Sequence, residues 1–262
     1  TTGDGLNMMW DAGAQKFGAN IEMIYQLKDN MNWFLLDAVL RQPNLLINQN
    51  GDRFMNEGTW VQGKSMNVMH QTGNVAWSIF DADYGKYNRM SLENGTGGGM
   101  FWDTMSAAIG QEFTDDDVTS IVESDIAVGN TVKADSIEEL AALLDVPADE
   151  LQKTIDRYNE LCDQGTDADF GKKSAYMHKI EKAPFWGVRK HIRVSSIDSG
   201  VNTNANGQAL DADGKVIEGL YCVGNVGGVF YGGADYPFHQ TGLSLGRCYT
   251  FGMLAAKHAM GK

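Results

Sequence analysis

Five side chains in this sequence could hand a proton or a hydrogen bond to a reacting carbonyl: Tyr84, Lys86, His191, Tyr236 and His239. Phenol, ammonium and imidazole are groups that act as general acids or polarise a carbonyl oxygen. Tyr236 and His239 sit close together, after the glycines 227, 228, 232 and 233 and just before a helical run from about Gly242 to His258. A strand that reads as buried, Gly219 to Asn225, comes before them. Strand, glycine-rich loop and helix form a geometry that aims backbone N–H groups at an anion or a polar cofactor. His191 lies in the only basic cluster, with Arg189, Lys190 and Arg193, which could meet an anionic substrate or a partner but more simply faces solvent or acidic loops. Gly-x-Gly-x-x-Gly does not occur, so that phosphate-cradling loop is absent from the sequence. No metal-ligand spacing and no Cys-x-x-Cys-His haem motif occurs either, and no metal is expected.

Composition narrows the classes further. The 262 residues are 43% hydrophobic, 21% charged and 10% aromatic, which is globular and long enough for one large or two smaller cores. Lys and Arg number 21 against 34 Asp and Glu, a formal charge of −13, so the electrostatic footprint of a nucleic-acid binder is missing. No apolar run approaches the roughly 20 residues of a membrane helix. Cys162, Cys222 and Cys248 are widely spaced and odd in number; they read as small buried apolar residues rather than as a disulfide framework. The chain opens Thr-Thr-Gly-Asp-Gly without an initiator Met or a signal peptide.

The elements that would position these groups can be read in order. Met8, Met9 and Ala12 recur at helical spacing, and Gly13 and Gly18 punctuate the end. Residues 44–48 read as a strand, Asn50-Gly51 as a hairpin turn and Arg53 to Met55 as the returning strand. Residues 65–72 look helical, Val75 to Phe80 reads as a strand, and 93–99 reads as a flexible linker or lid. Ser136 and Glu139 form a capping box, and Pro147 suits a first helical turn. Leu151, Ile155, Tyr158 and Cys162 then mark one buried face of a helix that Gly165 ends. Residues 200–217, with the Asp213-Gly214 turn, read as a small β-meander.

Four stretches carry a family resemblance: Thr2-Gly-Asp-Gly5 with the helix to Ala14, Ile47 to Glu57 (INQNGDRFMNE), Ser136 to Gly165, and Asp213 to Ala256. In that order they resemble the C-terminal part of the FAD-dependent oxidoreductase 2 family, which contains soluble fumarate reductases, flavocytochrome c and 3-ketosteroid dehydrogenases. The resemblance implies an α+β cap domain plus the C-terminal part of an α/β, Rossmann-like FAD-binding domain of the glutathione-reductase type. It divides the chain into 1–20 as a segment of the FAD-binding domain, 21–190 as the cap or substrate domain, and 191–262 as the closing part of the FAD-binding domain. The family's Rossmann half, with its Gly-x-Gly-x-x-Gly, has no counterpart here. A second chain, or an N-terminal half that has been lost, is therefore the expected partner, and a lone chain of this kind is expected to hold FAD poorly.

Residue by residue, the resemblance implies cofactor contacts from Asp4, from Asn225 (where most members carry Glu), and from Ser244 and Leu245 at the opening of the last helix. The free N–H groups and positive end of a helix suit negative charge on a reduced flavin. The dicarboxylate clamp of fumarate reductases is not matched. Gly85 stands at the first Arg position, His239 lies nearest the second, Ser195-Ser196 replace a His pair, and no Arg follows Asn56-Glu57 within six residues. Without fixed cations a dicarboxylate is a poor substrate. Tyr236-Pro237 resembles instead the ketosteroid dehydrogenase motif in which a Tyr hydroxyl and a glycine amide, here Gly242 after two extra residues, polarise a ketone. Trp60 stands near those enzymes' tyrosine base but can only donate, which leaves it and Ser196 as substrate-lining residues.

The implied function is hydride transfer between flavin N5 and a C=C or CH–CH bond beside a carbonyl, in a small-molecule substrate that is not a dicarboxylate. Tyr236, His239, Tyr84 and Lys86 are the candidate catalytic residues, and an external electron donor is required. The alternative is a non-catalytic flavoprotein remnant that binds a ligand or partner.

Overall fold

The computed structural model describes residues 2–18, 21–26, 43–59, 61–87, 115–127, 129–197, 199–230 and 243–261. The chain forms two compact units: residues 24–193, and residues 1–23 together with 194–262. Both are built from mixed α and β elements. The stretch 93–99 lies outside the described residues.

The first unit in chain order begins with helix α1 (Asp4–Asp11) and strand β1 (Lys16–Phe17), and the chain leaves it within strand β2 (Ile21–Gln26). The larger unit follows, with β3 (Leu45–Ile47), helix α2 (Val61–Met69), β4 (Val75–Phe80), α3 (Asp115–Ile126), β5 (Thr131–Ala134), α4 (Ile137–Leu144), α5 (Ala148–Gln164) and the long β6 (Phe185–Ile197). The sheet runs β2-β6-β4-β3, with β5 also paired to β6, and β3–β4, β4–β6 and β5–β6 are antiparallel.

Side chains of a strand alternate between faces, and here both faces are covered. Leu45, Ile47 and Ile79 pack with Leu140, Leu144, Leu151, Ile155 and Tyr158 of the α4–α5 pair. Leu46 and Ala76 point the other way, into a smaller cluster with Met55 and with Val68 of α2. That is why Leu45–Ile47 is apolar throughout rather than alternating. The close seat of α4 needs Gly187 on β6, where an added Cβ would come within 2.7 Å of Leu144 Cδ2.

The capping box forms with one change of partner. Ser136 Oγ accepts from the Glu139 N–H at 3.1 Å, but the Glu139 carboxylate reaches back to the N–H of Asp135 rather than of Ser136. A cap of this kind contributes about 1 kcal/mol. Pro147 is the residue just before α5, with φ −62° and ψ 122°. Gly165 ends α5 in the left-handed region at φ 65°, where glycine avoids the Cβ clash.

Three sequence expectations need correction. The Arg53–Met55 strand reduces to a single bridge between Ile47 and Arg53, because the Arg53 side chain turns into a buried carboxylate pair described below. The helix expected over 65–72 spans Val61–Met69 instead. Gly219 to Asn225 is not a uniformly buried strand. Strand β9 (Val216–Tyr221), which follows β7 (Gly200–Val201) and β8 (Gln208–Leu210), is exposed or half-buried along its length, and Cys222 is the buried residue after it. The reason is that, among the described residues, β9 pairs with β8 alone.

Helix α6 (Leu243–Ala259) completes the smaller unit. The core there is modest: Ala14, Val201, Ala209 and Cys222, with Leu6, Met9 and Trp10 of α1 against it. Close backbone contact holds it. A Cβ on Gly200 would fall 2.1 Å from the Val226 carbonyl oxygen, a position only glycine can occupy.

Candidate functional site

The smaller unit brings candidate cofactor residues together through two tight turns and a helix start. Asn225 sits in the 3-10 turn Gly224–Val226, and Ser244 in the first turn of α6. Asn225 Oδ1 accepts hydrogen bonds from Ser244 Oγ at 2.9 Å and from Arg247 Nη2 at 2.6 Å. Arg247 is buried one turn further on, its guanidinium 5.3 Å from the Phe230 ring centroid. Leu245 shares the helix start, but its side chain is 69% exposed.

Asp4 opens α1, is exposed, and its Oδ2 accepts from Thr2 Oγ1 at 2.6 Å. A Cβ on the next residue, Gly5, would touch Val226 Cγ2 at 4.0 Å. The turn carrying Asp4 therefore lies against the turn carrying Asn225. Beside them a cavity of about 300 Å3 is lined by Thr203, Cys222, Gly224, Phe230, Arg247 and Phe251.

This corner fits FAD on the chemistry of its donors. The first N–H groups of α6 have no acceptor within the helix, and its N-terminal end carries roughly half a positive charge. Ser244, Asn225 and the Arg247 cation stand behind that end, and an exposed carboxylate, Asp4, lies nearby to accept hydroxyl hydrogens. Polar hydroxyls and anionic oxygens are what such a set can hold.

The larger unit places the other candidates differently. Tyr84 is 2% exposed, packed on Phe80 at 4.8 Å and Trp186 at 5.1 Å between ring centroids. Lys86 is exposed, with Nζ 5.7 Å from the Tyr87 ring centroid. In the basic cluster, Lys190 is fully buried, so it does not face solvent as the sequence suggested. Trp60, Tyr236, His239 and Gly242 lie outside the described residues, and Ser196 falls within β6 without a described side chain.

Two features escaped the sequence reading. Arg247 is one; the available signal was a lone charge in the first turns of a mostly apolar helix, three residues after Ser244. The other is a buried charge network. Arg53 binds Glu57 and Asp167, and Lys172 Nζ donates to Tyr158 Oη at 2.7 Å and the Pro43 carbonyl at 2.5 Å, with Glu57 3.3 Å away. Burial lowers the Lys172 pKa and raises that of Tyr158 well above the usual phenol value. Among the described residues no cluster of His, Cys, Asp and Glu could hold a metal, and no helix is long and apolar enough to cross a membrane.

Residues 1–236 match the family described as FAD binding domain. A vinyl phenol reductase of Lactiplantibacillus plantarum is 30% identical over 98% of this chain and 53% of its own length. The 3-ketosteroid delta1-dehydrogenase of Sterolibacterium denitrificans, solved with 1,4-androstadiene-3,17-dione, superposes with a TM-score of 0.71 at 23% identity, over 100% of this chain and 47% of that one. The open conformation of a flavocytochrome c3 fumarate reductase gives 0.66 at 22% identity, over 100% and 40%. The chain thus has part of the fold of these proteins and spans about half the length of the curated relatives it matches.

Proposed function

This chain belongs to the FAD binding domain family, which its residues 1–236 match, and on that premise we propose that it is the cap and closing portion of an FAD-dependent oxidoreductase. When bound, the flavin would supply hydride exchange with a C=C or CH–CH bond beside a carbonyl. The observation that carries the reading is the Ser244–Asn225 bond of 2.9 Å, which joins two candidate cofactor residues at the positive end of α6.

In this reading the smaller unit is the FAD-binding part and the larger unit is the cap. Asn225, Ser244 and the α6 amides hold the cofactor's polar oxygens, Arg247 adds a fixed positive charge, and Asp4 accepts a hydroxyl hydrogen. Tyr236 and the Gly242 amide polarise the substrate carbonyl, and His239 delivers the proton to the carbon opposite the hydride. Lys86 is a reserve donor, whereas Tyr84, buried on Phe80 and Trp186, is a packing residue rather than the donor the sequence suggested, and Trp60 and Ser196 line the substrate. The sequence lacks the paired cations that fix dicarboxylates, which supports a substrate with a ketone or similar carbonyl. Electrons come from an external donor.

A further layer of protein supplies the Gly-x-Gly-x-x-Gly half, on a second chain or on an N-terminal portion. Two observations support it. Strand β9 carries Val216, Ile217, Leu220 and Tyr221 yet is exposed or half-buried along its length. Helix α6 buries Arg247 and Ala255 and exposes the large apolar side chains Leu245, Tyr249, Met253 and Leu254, Tyr249 at 79%. An exposed group of large apolar side chains is the kind of surface that another layer of protein covers.

The test is a visible absorption spectrum with intact mass spectrometry on protein isolated from its native source. Flavin bands with a polypeptide carrying the Rossmann half support the reading, and return of those bands when candidate enones are added to the reduced protein then identifies substrates. A colourless chain with no such polypeptide would sink it and favour a non-catalytic remnant.

A further inference from the structure

The larger unit holds a second, partly open cavity, with room of about 20 Å3, where the start of β3, the end of β4, the 81–87 turn, α5 and the 176–180 segment converge. That is room for one water molecule, which needs roughly 10–15 Å3 of such volume and two to four polar partners. The hydrogen-bond capacities of the lining decide whether those partners exist.

Asn44 Nδ2 is a buried donor and His178 Nε2 a buried ring nitrogen, and neither has a partner in the protein. The Tyr158 oxygen accepts from Lys172 Nζ at 2.7 Å, so its own O–H hydrogen remains to be donated. The neighbouring charges are already committed. Asp81 accepts from the backbone N–H groups of Asp83, Glu181 and Lys182. Lys179 pairs with Asp163 at 2.5 Å. The His178 ring stacks on Tyr87, with centroids 4.2 Å apart and planes 2° from parallel. Burial, with Lys172 and Lys86 nearby, lowers its pKa to about 4, so at neutral pH the ring is uncharged and one nitrogen is an acceptor.

Asn44, Tyr158 and His178 thus offer two donors and one acceptor around a space one water wide. We infer that this cavity is a built hydration site for a single water, which accepts from Asn44 Nδ2–H and Tyr158 O–H, donates to His178 Nε2, and so holds His178 in the tautomer protonated on Nδ1. An apolar occupant would leave Asn44 Nδ2 and His178 Nε2 unpaired. A cation would meet two donors where it needs acceptors. Three bonds is also the usual coordination of a buried water. The water extends the buried network of Arg53, Glu57, Asp167, Lys172 and Tyr158 to His178 and Asn44, tying the edge of β3 to α5. This inference stands independently of flavin binding.

The experiment is nitrogen-15 NMR of the full chain at pH 7, reading the His178 tautomer and water cross-relaxation to the Asn44 side-chain amide. The expected result is a bare Nε2 with the proton on Nδ1, together with a cross-peak from Asn44 to a long-lived water. A proton on Nε2, a charged ring, or no long-lived water at Asn44 would each overturn the proposal. These readings need no variant. In a folded His178→Phe protein the Asn44 cross-peak should disappear, and its persistence would refute the assigned acceptor.

Discussion

Arg53 and Asp167 meet across 114 positions of chain as a bidentate pair, Nη1 to Oδ1 at 3.1 Å and Nη2 to Oδ2 at 2.7 Å. Both side chains are almost wholly withdrawn from solvent, and Glu57 holds the other edge of the same guanidinium. Asp167 also caps its own loop, accepting from the N–H groups of Asp169, Phe170 and Lys172. Asp167→Ala leaves a buried cation half-compensated and should cost about 3–5 kcal/mol. Chemical denaturation of the full chain measures it; a loss under about 1 kcal/mol would show that water reaches the pair.

The acid profile should have two steps. Burial raises the Asp167 pKa, but its bonds to Arg53 and to the Lys172 and Phe170 N–H groups outweigh that and hold it at about 2. Its unfolded value is about 3.9, so this contribution is complete above pH 4 and lost as the pH falls from about 4 to 2. His178 lies at about 4, through burial first and then Lys172 and Lys86. The unfolded imidazole titrates near 6.5, so the unfolded chain binds the proton more readily and stability drops as the pH falls from about 6.5 to 4. Denaturant midpoints across pH should show both steps. His178→Phe should remove only the upper one.

Gly200 tests the smaller unit. Its Cβ would overlap the Val226 oxygen at 2.1 Å, so Gly200→Ala must push the 224–226 turn away from β7. A cost of roughly 1–3 kcal/mol or more is expected from such overpacking. Hydrogen exchange should show lost protection in residues 200–228 while β3, β4 and α5 keep theirs. Uniform loss across both units would mean that they unfold together.

The proposed cofactor and substrate roles separate by readout. Asn225→Ala removes the acceptor shared by Ser244 and Arg247 and should weaken flavin binding about tenfold, a 1.4 kcal/mol effect. Tyr236→Phe should leave flavin binding unchanged and lower turnover about 100-fold, the usual loss of a carbonyl-polarising donor. Flavin titration and steady-state kinetics on the assembled enzyme distinguish them. Equal flavin affinity in Asn225→Ala would remove Asn225 from the site.

Local rules made several elements legible. Leu151, Ile155 and Tyr158 mark the buried face of α5 because helical periodicity needs only the helix itself. Ser136 and Glu139 announce the start of α4 because a cap is satisfied within a few residues. The family resemblance was equally readable, since its motifs are contiguous in sequence, and residues 1–236 match the family. What needed the tertiary structure were groups whose partners lie far along the chain. Arg53 reads as an ordinary hairpin residue until Asp167 arrives, and Lys190 as one of a solvated cluster until its strand is enclosed. The Asn225–Arg247 bond spans a turn and a helix start, and the His178 cavity forms only where several segments converge. Charge and hydrogen-bonding capacity are written in each residue, but burial and partner are properties of the packed chain, and these decide whether a polar side chain is a solvated surface group, a structural tie or part of a site.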